Sequence, residues 1–150
     1  MSETAPNVHA TAIVLRDRGV LITGASGSGK TTLALALVTH ARSFGLFARL
    51  VGDDQLFLSA HHGRLVCAAP ATIAGLAEIR GVGPRPVDFE ARAQVDLVVR
   101  LVERDEAPRY QEDGTEFLVG CAVPCLTLAG GDSRATLLAV ASRLSLPPFA

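Results

Sequence analysis

The chain has 150 residues with a formal net charge of −1, and 49% of the residues are apolar. These values predict a single globular domain over residues 1–150 and argue against disorder, repeats and general charge attraction to nucleic acid. Because the start, Met1–Asn7, is polar and no uncharged apolar run approaches a membrane span, we expect a cytoplasmic protein without membrane or nucleic-acid partners.

The first elements along the chain are two strands and a helix. Apolar runs at Ala12–Leu15 and Val20–Thr23, separated by the turn residues Asp17–Gly19, predict two strands, the second one buried in a parallel arrangement. The apolar residues then change to helical spacing, which predicts a helix from about Lys30 to Ser43 that ends before Gly45.

The connection between this strand and helix matches the phosphate-binding pattern G-x-x-x-x-G-K-[ST]. The matching residues are Gly24, Ala25, Ser26, Gly27, Ser28, Gly29, Lys30 and Thr31, followed by Thr32. Lys30 is the only lysine among fourteen lysines and arginines, which favours a site that needs a compact point charge at the β- and γ-phosphates of a nucleotide. Backbone N–H groups and the helix N-terminus would hold the polyphosphate, and the Thr31 hydroxyl would bind Mg²⁺. The alternative is a Gly/Ser-rich turn without a ligand.

Strands and helices continue to alternate after this helix, which predicts an α/β layered core. Glu103–Thr115 is polar and is expected to be a mobile connection. The predicted elements are a strand at Ala48–Val51, a hairpin of Gln55–Ser59 and Leu65–Ala68 around His61–Gly63, strands at Val95–Val102 and Phe117–Leu128, and a helix from Asp132 or Ser133 to about Ser145.

Two acidic residues, Asp53 and Asp54, directly follow the strand at Ala48–Val51. Ligands gather at the carboxyl ends of strands in open parallel sheets, so we expect this pair to face the same crevice as Lys30. One carboxylate can meet Mg²⁺, directly or through water, while the other accepts a proton from an attacking hydroxyl. The alternative is that the pair only begins a turn.

A third group of polar residues lies in Ala77–Gly83, where Glu78 and Arg80 are separated by one residue and followed by two glycines. The carboxylate could hold a metal-bound water and the guanidinium a transferred phosphoryl group. A surface ion pair beside a flexible loop explains the same spacing.

Cys67, Cys121 and Cys125 have no ligand framework around them and are predicted to be small buried hydrophobes, with no metal assigned.

Four segments occur in a specific order: His9-Ala10, Val20–Thr31, Leu50–Asp54 and Gly75–Gly83. Together they resemble the catalytic domain of HPr kinase/phosphorylase, in the short form without the N-terminal domain. The similarity covers roughly residues 7 to 102, and the E-[IV]-R-G-x-G element is its most specific part. The resemblance implies an α/β P-loop kinase domain with a mixed β core and flanking helices, with ATP and Mg²⁺ as cofactors. It implies phosphorylation of a serine of HPr, the phosphocarrier protein of the phosphotransferase system.

The same resemblance implies roles for individual residues. It makes Lys30 the phosphate ligand and Asp53 the base that removes the serine proton, with Asp53 also a candidate metal ligand. It makes Asp54 a supporting partner that pairs with His9.

Three further residues of the family pattern receive roles in this way. Thr31 is a Mg²⁺ ligand, Glu78 is a second-metal or water-mediated ligand, and Arg80 is a conformational or charge-stabilising residue. Because full-length relatives are hexameric, the resemblance also implies a homo-oligomer. The sequence itself leaves the oligomeric state open.

The chain departs from the family pattern at three places. Thr31-Thr32 stands where the family has Ser-Glu, which keeps the metal hydroxyl but removes an acid. Arg42–Arg49 lengthens the connection before Asp53, and a loop extension can absorb this. The later arginine-containing segment of the family has only a loose counterpart in Pro108–Gln111, which leaves reverse phosphorolysis open. A small-molecule kinase, a nucleotide hydrolase and a non-catalytic nucleotide-binding regulator remain the alternative functions.

Overall fold

The computed structural model of the protein describes residues 6–149, so Met1–Ala5 of the predicted polar start lie outside the described residues. The elements in chain order are β1 Asn7–Val8, β2 Ala10–Leu15, β3 Arg18–Gly24, α1 Lys30–Ser43, β4 Ala48–Gly52, β5 Leu56–His61, β6 Arg64–Ala68, β7 Leu76–Ile79, β8 Gly83–Pro86, β9 Arg92–Gln94, β10 Leu97–Val102, β11 Gly114–Leu118, β12 Cys121–Ala129 and α2 Ser133–Arg143. No helix in this part of the chain is long and apolar enough to cross a membrane.

The central feature is a six-stranded mixed sheet with the strand order β11-β12-β10-β3-β2-β4. Strands β3, β10 and β12 are parallel, whereas β2 is antiparallel to both β3 and β4. Strand β4 therefore runs in the same direction as β3, with β2 between them. Four strands consequently present their carboxyl ends at one edge of the sheet, where the connections after β3 and β4 meet.

The two faces of this sheet are covered differently. Helices α1 and α2 pack on one face, over a core that includes Ile13, Leu37 and Val140. The four-stranded sheet β1-β5-β6-β9 covers the other face, over a core that includes Leu21 and Cys67. The middle of β3, Val20–Ile22, is buried on both faces, and its sequence there is a continuous apolar run. The predicted α/β class, a mixed β core with flanking helices, is confirmed.

Most predicted elements occur near their expected positions. The helix from Lys30 to Ser43 and the hairpin around His61–Gly63 are confirmed, and β3 forms the expected parallel pairing through β10. The second helix ends at Arg143, slightly before the predicted Ser145.

The prediction of one strand over Phe117–Leu128 is wrong. The chain turns at Val119 and Gly120, which have φ angles of 51° and 76°, and β11 pairs antiparallel with β12. The preceding polar segment also has fixed contacts, since Gln111 accepts a hydrogen bond from the Thr127 N–H and donates one to its carbonyl. A further hairpin, β7–β8, forms at a position where no strand was predicted.

Candidate active site

A bulge in β4 sets the direction of the first acidic residue. Ile13 of β2 lies opposite Leu50, but the next residue, Ala12, lies opposite Gly52, so β4 contains one extra residue at Val51. Side chains alternate between faces along a strand, and one extra residue exchanges the faces of all that follow. Asp53 is thereby turned to the face of the sheet that carries α1.

The bulge requires a glycine at position 52. A Cβ at Gly52 would lie 2.6 Å from Leu56 Cδ2 and 2.9 Å from Ala69 Cβ. Both contacts are shorter than real Cβ contacts, so a side chain here would force the strand or its neighbours to move. The absence of a side chain at Gly52 therefore allows Leu56 and Ala69 to pack closely against the strand just before Asp53.

Three donors hold the carboxylate of Asp53, whose residue is only 4% exposed. Oδ1 accepts hydrogen bonds from Thr11 Oγ1 and Thr31 Oγ1, each at 2.8 Å. Oδ2 accepts one from the backbone N–H of Glu78, also at 2.8 Å. Because donors reach both oxygens from three separate segments, the carboxylate has a fixed orientation.

The second acidic residue, Asp54, points elsewhere. Its φ angle of 70° turns the chain, and its carboxylate lies 3.3 Å from His9 Nδ1. The side chains are 79% exposed for His9 and 64% for Asp54, so solvent screens this pair strongly. The neighbouring acids thus divide into a buried, fully bonded carboxylate and an exposed one. A turn also begins here, since Gln55 N–H donates to the Asp53 carbonyl.

The predicted phosphate loop, residues 24–31, joins β3 to α1. Gly27 and Gly29 have φ angles of 81° and 98°, a region that glycine enters without strain, and Gly29 caps the helix. The first turn of α1 contains no acidic residue, and the carboxylate of Asp53 reaches it from outside the helix through the Thr31 hydroxyl. Lys30 Nζ donates to the carbonyls of Gly24 and Ala25 at 3.0 Å each. The loop therefore places one ammonium and a helix N-terminus at the same point.

The β7–β8 hairpin closes the site from a third side. Glu78 lies in β7 and donates its N–H to Asp53, and Arg80 follows at the turn. A Cβ at Gly27 would lie 3.9 Å from Arg80 Nη2, which shows how near the guanidinium comes to the phosphate loop. The structure therefore brings Glu78 and Arg80 to the same site, as the sequence predicted.

These segments line one cleft of about 540 Å³. Its volume falls in the range of small-molecule sites. His9 and the loop residues Gly24, Ala25 and Ser28 are not among its lining residues, although His9 contacts Asp54 at its edge. The cleft is lined by Thr11, Ser26, Gly27, Gly29, Lys30, Thr31, Thr32, Leu35, Asp53, Asp54, Glu78, Ile79 and Arg80.

The oxygen donors in the cleft fit Mg²⁺. The Thr31 hydroxyl and the Asp53 carboxylate are 2.8 Å apart, and Glu78 lines the same cleft. Within residues 6–149 there is no cluster of three or more His, Cys, Asp or Glu side chains able to hold a metal. Mg²⁺ is usually bound by one or two carboxylates, and water and substrate phosphates supply its other ligands. A site with few protein ligands is therefore consistent with Mg²⁺.

Two parts of the site were not found by sequence reasoning. Thr11 reaches Asp53 from β2, but one threonine in an apolar strand gives no signal of its own. Gly130 and Gly131 pack against the phosphate loop, since a Cβ at Gly130 would lie 2.6 Å from the Ser28 carbonyl oxygen. Two consecutive glycines directly after an apolar strand were a usable signal for this close contact.

The cysteines lie apart from this cleft and are buried as predicted. Burial raises the pKa of the Cys67 thiol to about 12. Burial also raises the pKa of the Cys125 thiol, which donates to the Glu116 carboxylate at 3.7 Å. Both groups are thiols rather than thiolates at neutral pH.

The protein is similar to known families and structures. Residues 2–141 match the family model described as the HPr Serine kinase C-terminal domain. The HPr kinase/phosphorylase of Lactobacillus delbrueckii is 31% identical over 134 residues, which cover 81% of this chain and 40% of that protein. The one from Exiguobacterium sibiricum is 32% identical and covers 94% of this chain and 49% of that protein.

A solved structure shows the same fold. The HPr(Ser) kinase/phosphatase from Coxiella burnetii superposes with a TM-score of 0.78 and 26% sequence identity, covering 93% of this chain and 88% of that one. The chain spans less than half the length of the curated relatives named above. The match over nearly the whole chain nevertheless settles its classification: it belongs to the HPr serine kinase C-terminal domain family.

Proposed function

We propose that residues 1–150 form one cytoplasmic catalytic domain that transfers the γ-phosphoryl group of ATP to a serine of an HPr-type phosphocarrier protein. One observation carries the proposal: the buried carboxylate of Asp53 lies 2.8 Å from the hydroxyl of Thr31, the residue after Lys30. The Asp53 carboxylate, which is suited to accept a proton, and the loop of Lys30 and Thr31, which is suited to hold phosphate, thus line one cleft. The names of the relatives supply the acceptor.

The phosphate loop would bind the nucleotide. Lys30 Nζ donates to two carbonyls of its own loop and would turn to the β- and γ-phosphates, beside the backbone N–H groups and the positive end of α1. Arg80 lies next to the loop at Gly27 and would stabilise charge on the transferred group. Thr31, Asp53 and, through water, Glu78 would hold Mg²⁺, which neutralises charge on the phosphates when bound.

Asp53 would serve as the base. As the serine oxygen forms a bond to the γ-phosphorus, the bond from that phosphorus to the oxygen of the ADP leaving group breaks, and the hydroxyl proton passes to the Asp53 carboxylate. Asp54, paired with His9, would support this segment at the rim. In the reverse direction, an oxygen of inorganic phosphate would form a bond to the phosphorus of phosphoserine as the bond from that phosphorus to the serine oxygen breaks. Pyrophosphate would leave, and Asp53 would return the proton to the serine oxygen.

A direct transfer assay tests the proposal. We expect the purified chain, incubated with HPr, ATP and Mg²⁺, to add one phosphoryl group to a serine of HPr, detected by mass spectrometry of HPr peptides. An HPr variant with alanine in place of the modified serine is the matched control. Incubation of phosphoserine HPr with inorganic phosphate tests the reverse reaction.

The same assay separates the alternatives. ATP loss without phosphorylated HPr would indicate a hydrolase or a small-molecule kinase, and ATP binding without turnover would indicate a regulator. Either result would contradict the proposal. A homo-oligomeric assembly stays a prediction, to be measured by light scattering of the full chain.

A further inference from the structure

Thr11 is a buried polar residue in an otherwise apolar strand. It lies in β2, is 0% exposed, and has the fully buried Ala10 and Ala12 as neighbours. Among the described residues, only Thr11, Asp53 and Thr136 are polar or charged and buried. A buried hydroxyl without a partner is unfavourable, so the partner of Thr11 indicates what the hydroxyl does.

That partner is the carboxylate of Asp53. Thr11 Oγ1 donates to Oδ1 at 2.8 Å, and the two residues are 42 positions apart in sequence. The contact exists because the bulge at Val51 turns Asp53 to the face of the sheet on which Thr11, Ile13 and Leu15 lie. The hydroxyl and the strand irregularity therefore act on the same carboxylate.

The three donors to Asp53 do not have equal roles. Thr31 follows Lys30 and is the donor expected to change partner when nucleotide and metal bind. Thr11 and the N–H of Glu78 come from β2 and β7 and have no such second task. They reach different oxygens, Oδ1 and Oδ2, so together they fix the rotation of the carboxylate about its side-chain bond.

We propose that Thr11 is a positioning residue, which keeps the Asp53 carboxylate in the orientation for proton transfer after Thr31 has turned to its ligand. This inference rests on the proposed function, because it assigns Thr11 a role through the base of that reaction. Thr11 itself touches neither the nucleotide nor the acceptor in this scheme.

Substitution of the hydroxyl tests the proposal. We expect Thr11→Val, which keeps the shape and removes the donor, to lower kcat for HPr phosphorylation about tenfold, as for one hydrogen bond to a charged group. The KM for ATP should stay within about twofold, because the phosphate loop is untouched. Thr11→Ser keeps the hydroxyl and should retain kcat within about threefold of the unchanged protein.

The matched control is Thr136→Val. Thr136 is also buried, and its hydroxyl donates to the carbonyls of Ala129 and Asp132 instead of to Asp53. We expect this variant to lose stability and, because Ala129 and Asp132 flank the Gly130–Gly131 turn that packs on the phosphate loop, to change the KM for ATP rather than kcat. An unchanged kcat in Thr11→Val, or an equal loss in Thr11→Ser, would overturn the proposal. Thr11→Ala replaces the valine variant if the latter does not fold.

Two further results distinguish this inference from the function on which it rests. If the unchanged protein does not phosphorylate HPr, the proposed function fails, and the role of Thr11 fails with it. If the unchanged protein is active and Thr11→Val is equally active, only the inference fails.

Urea unfolding provides a check independent of activity. Thr11→Val should cost less stability in an Asp53→Ala background than in the unchanged protein, because the hydroxyl is already orphaned there. Additive effects would show that the contact is absent.

Discussion

The two walls of the cleft are built in different ways. The phosphate-loop wall is eight consecutive residues, 24–31, between one strand and the helix that follows it. The acidic wall consists of Thr11 of β2, Asp53 directly after β4 and Glu78 of β7, three segments that meet only in the folded chain. A local motif can thus preserve nucleotide binding while the groups for proton transfer depend on strand register. The predictions below separate these two contributions.

The largest effect is expected at the phosphate-loop wall. Lys30→Ala should lower phosphoryl transfer by about 10³-fold or more, because the compact charge at the phosphates is lost and the chain has no second lysine. Lys30→Arg should remain strongly impaired, since a planar guanidinium does not replace an ammonium at this position. Initial rates and calorimetric ATP binding measure both losses. Near-normal transfer in Lys30→Ala would remove the phosphate loop from the mechanism.

Asp53→Asn should mainly affect the acidic wall. The amide is similar in shape but cannot accept the serine proton, so we expect turnover to fall by about 10²- to 10³-fold. ATP affinity measured without Mg²⁺ should change by less than about threefold, because the phosphate loop is intact and the proposed metal contact of Asp53 is not involved. Single-turnover kinetics and calorimetry together measure this split. Retained turnover would mean that the base is another residue.

Gly52→Ala tests the bulge that places Asp53. The added methyl would meet Leu56 and Ala69 at less than 3 Å, so we expect a loss of about 1–3 kcal/mol in unfolding free energy. We also expect kcat to fall about tenfold with ATP binding retained. The control is Gly114→Ala, whose Cβ would lie an ordinary 3.6 Å from the Cys125 carbonyl oxygen. Equal effects of the two variants would show that β4 register does not matter.

The smallest effect is expected for the influence of ATP on Cys67, which lies on the opposite face of the sheet and belongs to neither wall. Burial raises the Cys67 pKa to about 12, so at pH 8 only about one thiol in 10⁴ is ionised. Because the thiolate is the nucleophile, alkylation of Cys67 by iodoacetamide should be very slow in the folded protein and fast in urea. Peptide mass spectrometry measures the labelling, with and without ATP. Rapid labelling of the folded protein, or a strong effect of ATP on it, would couple this face to the cleft.

The sequence alone determined the phosphate-loop wall. The pattern from Gly24 to Thr31, the apolar run before it and the helical spacing after it lie within a short stretch of chain. Their structure depends on neighbours in sequence, so the strand, the loop and the start of α1 at Lys30 were all predictable. The position of Asp53 and Asp54 after an apolar strand predicted that they face the same crevice as Lys30. The resemblance then assigned roles to this pair and to Glu78 and Arg80.

Only the tertiary structure decided how the acidic wall is assembled. Leu50 and Val51 are both apolar and both buried, so no alternation in the sequence reveals the extra residue that turns Asp53 toward Thr11. The hairpin of β11 and β12 was not predicted because its turn at Val119-Gly120 lies inside a mostly apolar run that reads as one strand. Thr11 is an ordinary strand residue until the fold places its hydroxyl against a carboxylate 42 positions away. Long-range register fixes such contacts, and register follows from packing of the whole sheet rather than from any segment within it.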